Sequence, residues 1–465
     1  MTTMKTGIPN PLTGMKSKQL RWLCCALILC LLTGFLPSAQ ALTLQDCHRV
    51  TLTDEDTVQD NGSVIRFWHV DTVLDSVDQE IAGLEQEFVD QIAPTLQKAK
   101  NKTSMNSRLD MEVRYSRTGL SWMSFVLQAR ITYHRNLIGQ ELTTRTYDML
   151  TGDRITMSDL FPEDSPAWIT LSDAVRSQLT DYFPDETPDE ATLDHLCAKE
   201  TLQQADFSLH GYSLVLHYPA SLLYPEHPTL MEVTVMYSLL QEYMTEEARK
   251  QTDNLAYYKT CALTFDDGPS RTNTTLVLKN LMIQGARATF FVVGNRIDSY
   301  VDQVQREHDQ GHAIGMHNWH HGNVNKSSAA SLRGMVAKCD AKLIKAIGIP
   351  SRYDRVPYGL YPKMIKSKVG WSYIQWSVDT YDWRGRSSSS VLSSVKKKIA
   401  DGDIILCHDI KDNTPESTLR ICDYLAENGY ILLTIDELFA KDGVELQPDT
   451  VYWHCADGET GLISK

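Results

Sequence analysis

The run Leu263-Thr264-Phe265 ends in two adjacent carboxylates, Asp266 and Asp267, followed by Gly268-Pro269. Neighbouring acids at a strand end repel each other unless a cation or an arginine holds them. Without such a partner, Asp-Gly-Pro is turn chemistry and the acids are solvated caps. Further on, Ala313–Met316 leads into His317-Asn318-Trp319-His320-His321. The outer histidines are four apart, and one helical turn would bring both imidazoles to one side. Two imidazoles and one carboxylate make a facial set with open positions for water and substrate, as a catalytic metal site requires. The competing reading is a histidine cluster in solvent. Three more runs put polar residues behind short apolar ones: Arg355-Val356-Pro357-Tyr358-Gly359, Val378-Asp379-Thr380-Tyr381-Asp382-Trp383 and Ile405-Leu406-Cys407-His408-Asp409. Taken singly, each reads as a charged strand end in water. In an extended strand Leu406 and His408 share a face, so His408 can face a site while Cys407 packs in the core.

The elements that must position these residues are short apolar runs: Ala262–Phe265, Ala288–Val293, Ala313–Met316, Tyr353–Val356, Tyr373–Val378, Ile404–Cys407 and Ile431–Thr434. Helix-like stretches separate them, such as Leu332, Met335, Val336, Cys339, Leu343 and Ile347 at i+3/i+4 spacing. That alternation predicts βα repeats around a parallel sheet or barrel. In such folds chemistry sits at the C-terminal strand ends, where the polar runs fall.

The preceding half reads differently. Val77, Ile81, Leu84, Phe88 and Ile92 predict a helix that Pro94 interrupts. Leu109–Tyr115 and Met123–Tyr133 alternate with period two around a turn at Arg117-Thr118-Gly119, predicting an antiparallel sheet with one face on a helix and one in water. A second strand pair is expected at Phe207–Leu209 and Tyr212–Tyr218. The histidines of this half are dispersed singly and assemble no catalytic set.

A chain of 465 residues is too long for one ordinary core, so two domains and a terminal segment are expected: 1–41, 42–255 and 256–465. Charged residues make up 22% and hydrophobic ones 42%, a globular balance rather than a disordered one. The formal charge of −14 repels phosphate backbones, which argues against nucleic acid and suits an uncharged polymer or small molecule better. At the N-terminus Lys16, Lys18 and Arg21 precede an apolar run Trp22–Leu36 and the small-residue site Ser38-Ala39-Gln40-Ala41. That order reads as a signal peptide cleaved after Ala41, with an uncleaved anchor as the rival; either puts the bulk of the chain outside the cytoplasm, secreted or held at the cell surface. Cys24, Cys25 and Cys30 lie in that run. The other seven cysteines are scattered without CxxC spacing, so buried free thiols are expected rather than a thiolate zinc site or a disulfide framework.

Taken in order, T-F-D-D-G-P, H-x-x-x-H, R-x-P-Y, D-x-x-D-W and L-x-H resemble the five motifs of the polysaccharide deacetylase family (NodB homology, carbohydrate esterase family 4), over about Tyr258–Phe439. The architecture also resembles two-domain peptidoglycan deacetylases of the PdaC type, in which a region related to the RsiV anti-sigma factor precedes the enzyme. Thr146-Tyr147-Asp148 to Thr151-Gly152 and Asp159-Leu160-Phe161 carry that part of the likeness. The resemblance implies an α/β protein with a distorted (β/α)7-type barrel as catalytic domain, preceded by an α+β domain with an antiparallel sheet. It implies that Asp267, His317 and His321 bind a divalent metal, Zn²⁺ first with Co²⁺ or Ni²⁺ as substitutes. Asp266 would be the general base, held ionised by Arg355. The Tyr358 amide, next to Pro357, would support the oxyanion. His408 would be the acid, with Asp382 as its partner and Asp379 in reserve. Trp383 and Leu406 would line a slot for the acetyl methyl. One departure stands out: Asn318 replaces the usual Ser or Thr after the first histidine, and its amide would hydrogen-bond behind the site. His320 has no assigned role.

The implied function is removal of N-acetyl groups from cell-wall glycan, either GlcNAc or MurNAc of peptidoglycan, with chitin oligomers as side substrates. The alternatives are an O-acetyl esterase of xylan type with the same machinery, and an inactive wall-binding or sensing protein. An inactive relic should have lost a ligand or the base, and none is missing. The region before the enzyme would be a glycan- or protein-binding module.

Overall fold

A computed structural model describes residues 49–59, 62–98, 107–254 and 258–461. The segment read as a signal peptide or anchor, and Cys24, Cys25, Cys30 and Cys47, lie outside the described residues, as does the expected boundary near 255/256. The described residues of the first half build a six-stranded sheet in sequential order: β1 (Thr51–Val58), β2 (Val64–Asp71), β3 (Ser107–Thr118), β4 (Trp122–Tyr133), β5 (Asn136–Asp148) and β6 (Arg154–Ile155). Helix α1 (Asp75–Lys98) crosses from β2 to β3, so that one pair is parallel in a sheet otherwise antiparallel. The helix runs through Pro94, contrary to the expected interruption.

The alternation of β4 also misleads. Its residues Trp122 to Thr132 are all buried, so neither face is wet. Leu109, Met111, Ala129 and Ile131 pack on Val89 and Ile92 of α1. On the polar face, Ser124 accepts the Leu209 amide at 2.9 Å, and Arg130 pairs with Asp309 at 2.7 Å. Polar residues that look solvated in the sequence are therefore partners for other buried polar groups. A three-stranded antiparallel sheet follows: β7 (Phe207–Leu209), β8 (Ser213–Pro219) and β9 (Leu230–Met236). The first two match the expected pair, and β9 is additional.

The second half forms a nine-stranded sheet, parallel throughout its strand pairs. Its strands are β10 (Lys259–Asp266), β11 (Thr289–Val292), β12 (Ala313–Met316), β13 (Tyr353–Asp354), β14 (Ser372–Ile374), β15 (Val378–Asp379), β16 (Asp403–His408), β17 (Tyr430–Leu432) and β18 (Val451–Tyr452). The expected strand Tyr373–Val378 splits: its start pairs β13 as β14 and its end pairs β16 as β15. Through that run the sheet curls back on itself, as a half-barrel does. Helices α2 (Asn273–Ile283), α3 (Val301–Asp309), α4 (Ala329–Ile347), α5 (Ser388–Lys398) and α6 (Thr414–Glu427) flank it. Ser328 caps α4 by accepting the Ser331 amide, and Gly348, at φ 88°, ends it in the left-handed conformation that glycine tolerates. Leu263, Phe265, Phe290, Val292, Leu332, Cys339, Leu343, Ile405 and Cys407 share one core, which fixes the strand faces and hence where the polar ends emerge. All six described cysteines (Cys197, Cys261, Cys339, Cys407, Cys422 and Cys455) are free and buried.

Candidate active site

Asp266 and Asp267 stand at the end of β10, and a break to φ 76° at Asp267 turns the second carboxylate away from the strand direction. His317 follows β12 directly. The next residues form no helical turn: Asn318 (φ 58°) and His321 (φ 43°) are left-handed, and this kinked loop brings His321 back toward His317. Asparagine tolerates that conformation far better than a β-branched residue does. Asp267 Oδ1 lies 3.4 Å from His317 Nε2 and 3.1 Å from His321 Nε2, and the three donor atoms lie within 4.8 Å of one another.

The Nδ1 proton of His317 points elsewhere. His317 Nδ1 donates to the Arg355 carbonyl, and His321 Nδ1 faces the Tyr358 hydroxyl at 3.3 Å. This leaves the Nε2 lone pair of His317 aimed at Asp267 Oδ1, a buried carboxylate oxygen. Three lone-pair atoms at these separations repel unless a positive charge sits among them. Burial alone would raise the Asp267 carboxyl; hydrogen bonds and positive charge from the two imidazoles when protonated, with His408 beyond, hold it well below the usual carboxylate range. One carboxylate and two imidazoles suit a borderline divalent cation such as Zn²⁺, so the residues present fit a metal site.

On one side lies Asp266, buried at 3% exposure, with Arg355 fully buried beside it. Arg355 Nη1 donates to Asp266 Oδ1 at 2.9 Å and to Thr264 Oγ1 at 2.6 Å; Nε and Nη2 donate to the Ile374 and Gln375 carbonyls. Its guanidinium carbon is 4.0 Å from the centre of the Phe291 ring. All this fixes the charge that faces Asp266. On the other side, His408 ends β16, paired with Asp266 in the sheet register. Its Nδ1 is 2.8 Å from Asp382 Oδ1, and its amide donates to Asp382 Oδ2 at 2.7 Å. Burial would lower the His408 pKa, but the hydrogen bond and charge of Asp382, with Asp266 and Asp267, raise it. Asp379 instead accepts the Tyr381 amide at 2.8 Å, and among the described residues the carboxylate hydrogen-bonded to His408 is that of Asp382. Tyr358 (69%) and Trp383 (46%) are large exposed aromatics, whereas Pro357 and Leu406 are buried. The Asn318 side chain is buried with neither amide atom paired among the described residues, contrary to the expected hydrogen bonding behind the site.

Two buried acids escaped the sequence reading. Asp354 accepts the Asn318 amide at 3.0 Å, and burial pushes its carboxyl well above the usual range. Asp409 accepts the Thr274 hydroxyl, and burial, with the charge of Asp267, pushes it up to about 7. Gly268 is pressed against it: a Cβ there would sit 2.3 Å from Asp409 Oδ2. The only signal was position, since each acid adjoins a site residue at a strand end.

Residues 256–371 match the profile of the family described as polysaccharide deacetylase. A peptidoglycan-N-acetylglucosamine deacetylase of Listeria monocytogenes, PgdA, is 28% identical over 388 residues, which span 82% of this chain and 80% of that protein. A peptidoglycan-N-acetylmuramic acid deacetylase of Bacillus subtilis, PdaC, is 31% identical over 180 residues, or 39% of this chain and 38% of that one. A solved structure of the Bacillus subtilis enzyme is 30% identical, covering 40% of this chain and 91% of that chain with a TM-score of 0.38.

Proposed function

This chain belongs to the polysaccharide deacetylase family, and we propose that it hydrolyses N-acetyl groups from the GlcNAc or MurNAc residues of peptidoglycan outside the cytoplasm. The observation that carries the reading is the convergence of Asp267, His317 and His321 between a buried carboxylate–arginine pair and a carboxylate–histidine pair. Asp267, His317 and His321 would hold a divalent cation, Zn²⁺ first with Co²⁺ or Ni²⁺ as substitutes, which would supply Lewis acidity toward the acetamide carbonyl and acidify water. Asp266 takes the proton of the attacking water, and Arg355, 2.9 Å away, holds its carboxylate in position. The Tyr358 amide stabilises negative charge growing on the carbonyl oxygen. His408, kept protonated by Asp382, gives its proton to the departing sugar amine, so acetate and free amine leave. Trp383 and Leu406 shape the slot for the acetyl methyl.

Action outside the cytoplasm is supported by the basic-apolar-small order of residues 16–41 and by relatives named for peptidoglycan. Among the described residues no helix is long and apolar enough to cross a membrane. We further propose that 42–255 is a separate module from 256–465, one that places the enzyme on its polymer. The test is a metal-titrated acetate-release assay on purified peptidoglycan, with mass spectrometry locating the deacetylated sugar. Acetate should appear in proportion to metal loading and vanish with chelation. No release at full loading counts against the reading; release from acetylxylan alone would favour the esterase.

A further inference from the structure

The rim beside His408 is built from a loop whose charge opposes that of the whole protein. Against a formal balance of −14, Tyr381-Asp382-Trp383-Arg384-Gly385-Arg386 places two exposed arginines directly after the carboxylate that holds His408. The Arg384 guanidinium lies 4.6 Å from the Trp383 ring centre and 4.9 Å from that of Tyr381. Arg386 lies 5.2 Å from the same tyrosine, and Lys398, at the end of α5, 5.8 Å. None of these three cations has a carboxylate within ion-pair distance among the described residues. The acids of this stretch are engaged elsewhere: Asp382 with His408, Asp379 with the Tyr381 amide, and Glu416 with Arg420.

The loop is also held in shape. Asn413 Nδ2 donates to the Arg386 carbonyl at 2.7 Å and to the Asp382 carbonyl at 3.3 Å, and Gly385, at φ 65°, turns the chain back. An arginine stacked on an aromatic face keeps its N–H edge free and pre-oriented for a carboxylate, while the ring offers a surface to a sugar. We propose that Arg384, Arg386 and Lys398, with Tyr381 and Trp383, form a carboxylate-recognising subsite, so that the preferred polymer is an acidic glycan rather than a neutral one. This rests on the deacetylase reading and supplies a substrate class within it. Net charge alone favours an uncharged polymer, but the field at a cleft is set by its nearest charges.

The test compares four forms of glycan strand with the zinc-loaded full chain. They are intact peptidoglycan strands, strands stripped of stem peptides by an amidase, and each of these with its carboxylates converted to amides. Two exposed charge-assisted contacts predict about a tenfold higher kcat/KM for carboxylated over amidated strands, carried by KM and shrinking with added salt. In Arg384→Gln/Arg386→Gln that ratio should collapse toward one with the melting temperature unchanged. Sensitivity confined to intact strands identifies peptide carboxylates, and sensitivity confined to stripped strands identifies the lactyl carboxylate. A wild type blind to amidation, or a double variant that keeps the ratio, overturns the proposal. Strand binding measured without turnover separates the two readings. A carboxylate preference with no acetate release would sink the hydrolase alone, and equal binding to all four forms would sink the subsite.

Discussion

Replacing Asp266 by asparagine isolates the base from the metal site. The carboxylate is 2.9 Å from Arg355 Nη1, and both side chains are buried. Asparagine keeps the volume, and its amide oxygen can still accept from that nitrogen, but it cannot take a proton at neutral pH. Losing a positioned general base costs about 10²–10⁴-fold in kcat, or about 2.7–5.5 kcal/mol of barrier. Stability should change less. Removing one partner of a buried pair outright costs about 3–5 kcal/mol, yet Arg355 keeps Thr264 Oγ1 and the carbonyls of Ile374 and Gln375. With an amide acceptor still in place, a loss of about 1–2 kcal/mol is expected. Metal content, measured by atomic absorption on the purified variant, should match wild type, because Asp267, His317 and His321 are untouched. Acetate release at saturating strand concentration, taken beside metal content and a melting curve, reads all three quantities. A variant with full metal and wild-type kcat would refute the assignment of Asp266; one that loses metal together with activity would mean that the two carboxylates cannot be given separate roles.

The companion change, Asp267→Asn, should lower metal content and activity together, and stoichiometric metal in that variant would remove Asp267 from the ligand set. Asp382→Asn bears on pH: His408 donates only while protonated, so activity is present below its pKa and lost as pH rises through it. Asp382 raises that pKa against the effect of burial, so the variant's alkaline limb of kcat/KM should move to lower pH, and an unmoved limb would exclude the pair as the acid. Gly268→Ala drives a methyl to within 2.3 Å of Asp409 Oδ2; overpacking of this kind costs about 1–3 kcal/mol. Adding Asp409→Ala should recover part of the lost melting temperature, and a single variant as stable as wild type would show that the contact is not tight.

The parallel strands were legible because each is a short apolar run closed by polar residues, and Ala313–Met316 matches its strand to the residue. The candidate site residues were legible for a related reason: a strand end is where the chain leaves the core, so the acids and histidines there face one rim. What the sequence pattern hid were departures from regular geometry and burial of polar groups. The four-residue spacing of His317 and His321 fits a helix, but the backbone reaches the same convergence through two left-handed residues. The alternation of β4 fits a wet face, but Ser124, Gln128 and Arg130 instead meet the buried polar groups of Leu209, Gln140 and Asp309. Asp354 and Asp409 were invisible because acids are rarely buried, and nothing local announces a partner such as Thr274.

The buried polar contacts between the halves bear on the site through one element. Helix α3 ends at Asp309, and the chain then passes through Gln310-Gly311-His312 into β12, which delivers His317. That helix is gripped from the first sheet, where Arg306 pairs with Asp110 and Glu112, Gln310 donates to Glu112 at 2.7 Å and Asp309 accepts from Arg130 and Gln140, and from Thr229 ahead of β9. Burial would raise the Asp309 carboxyl, but the His308 hydrogen bond and the Arg130 charge more than offset it. Buried pairs of this kind add little net stability, because desolvation opposes the Coulomb gain. Their geometry is demanding, however: a slip of one residue along α3 would leave Asp309 and Arg130 buried and unpaired, at a cost of several kcal/mol. The first sheet therefore fixes the register of the helix that feeds the His317 strand. Polar residues in that interior make sense as alignment of His317, proposed as a metal ligand, where a greasy contact of equal area would have let the helix slide.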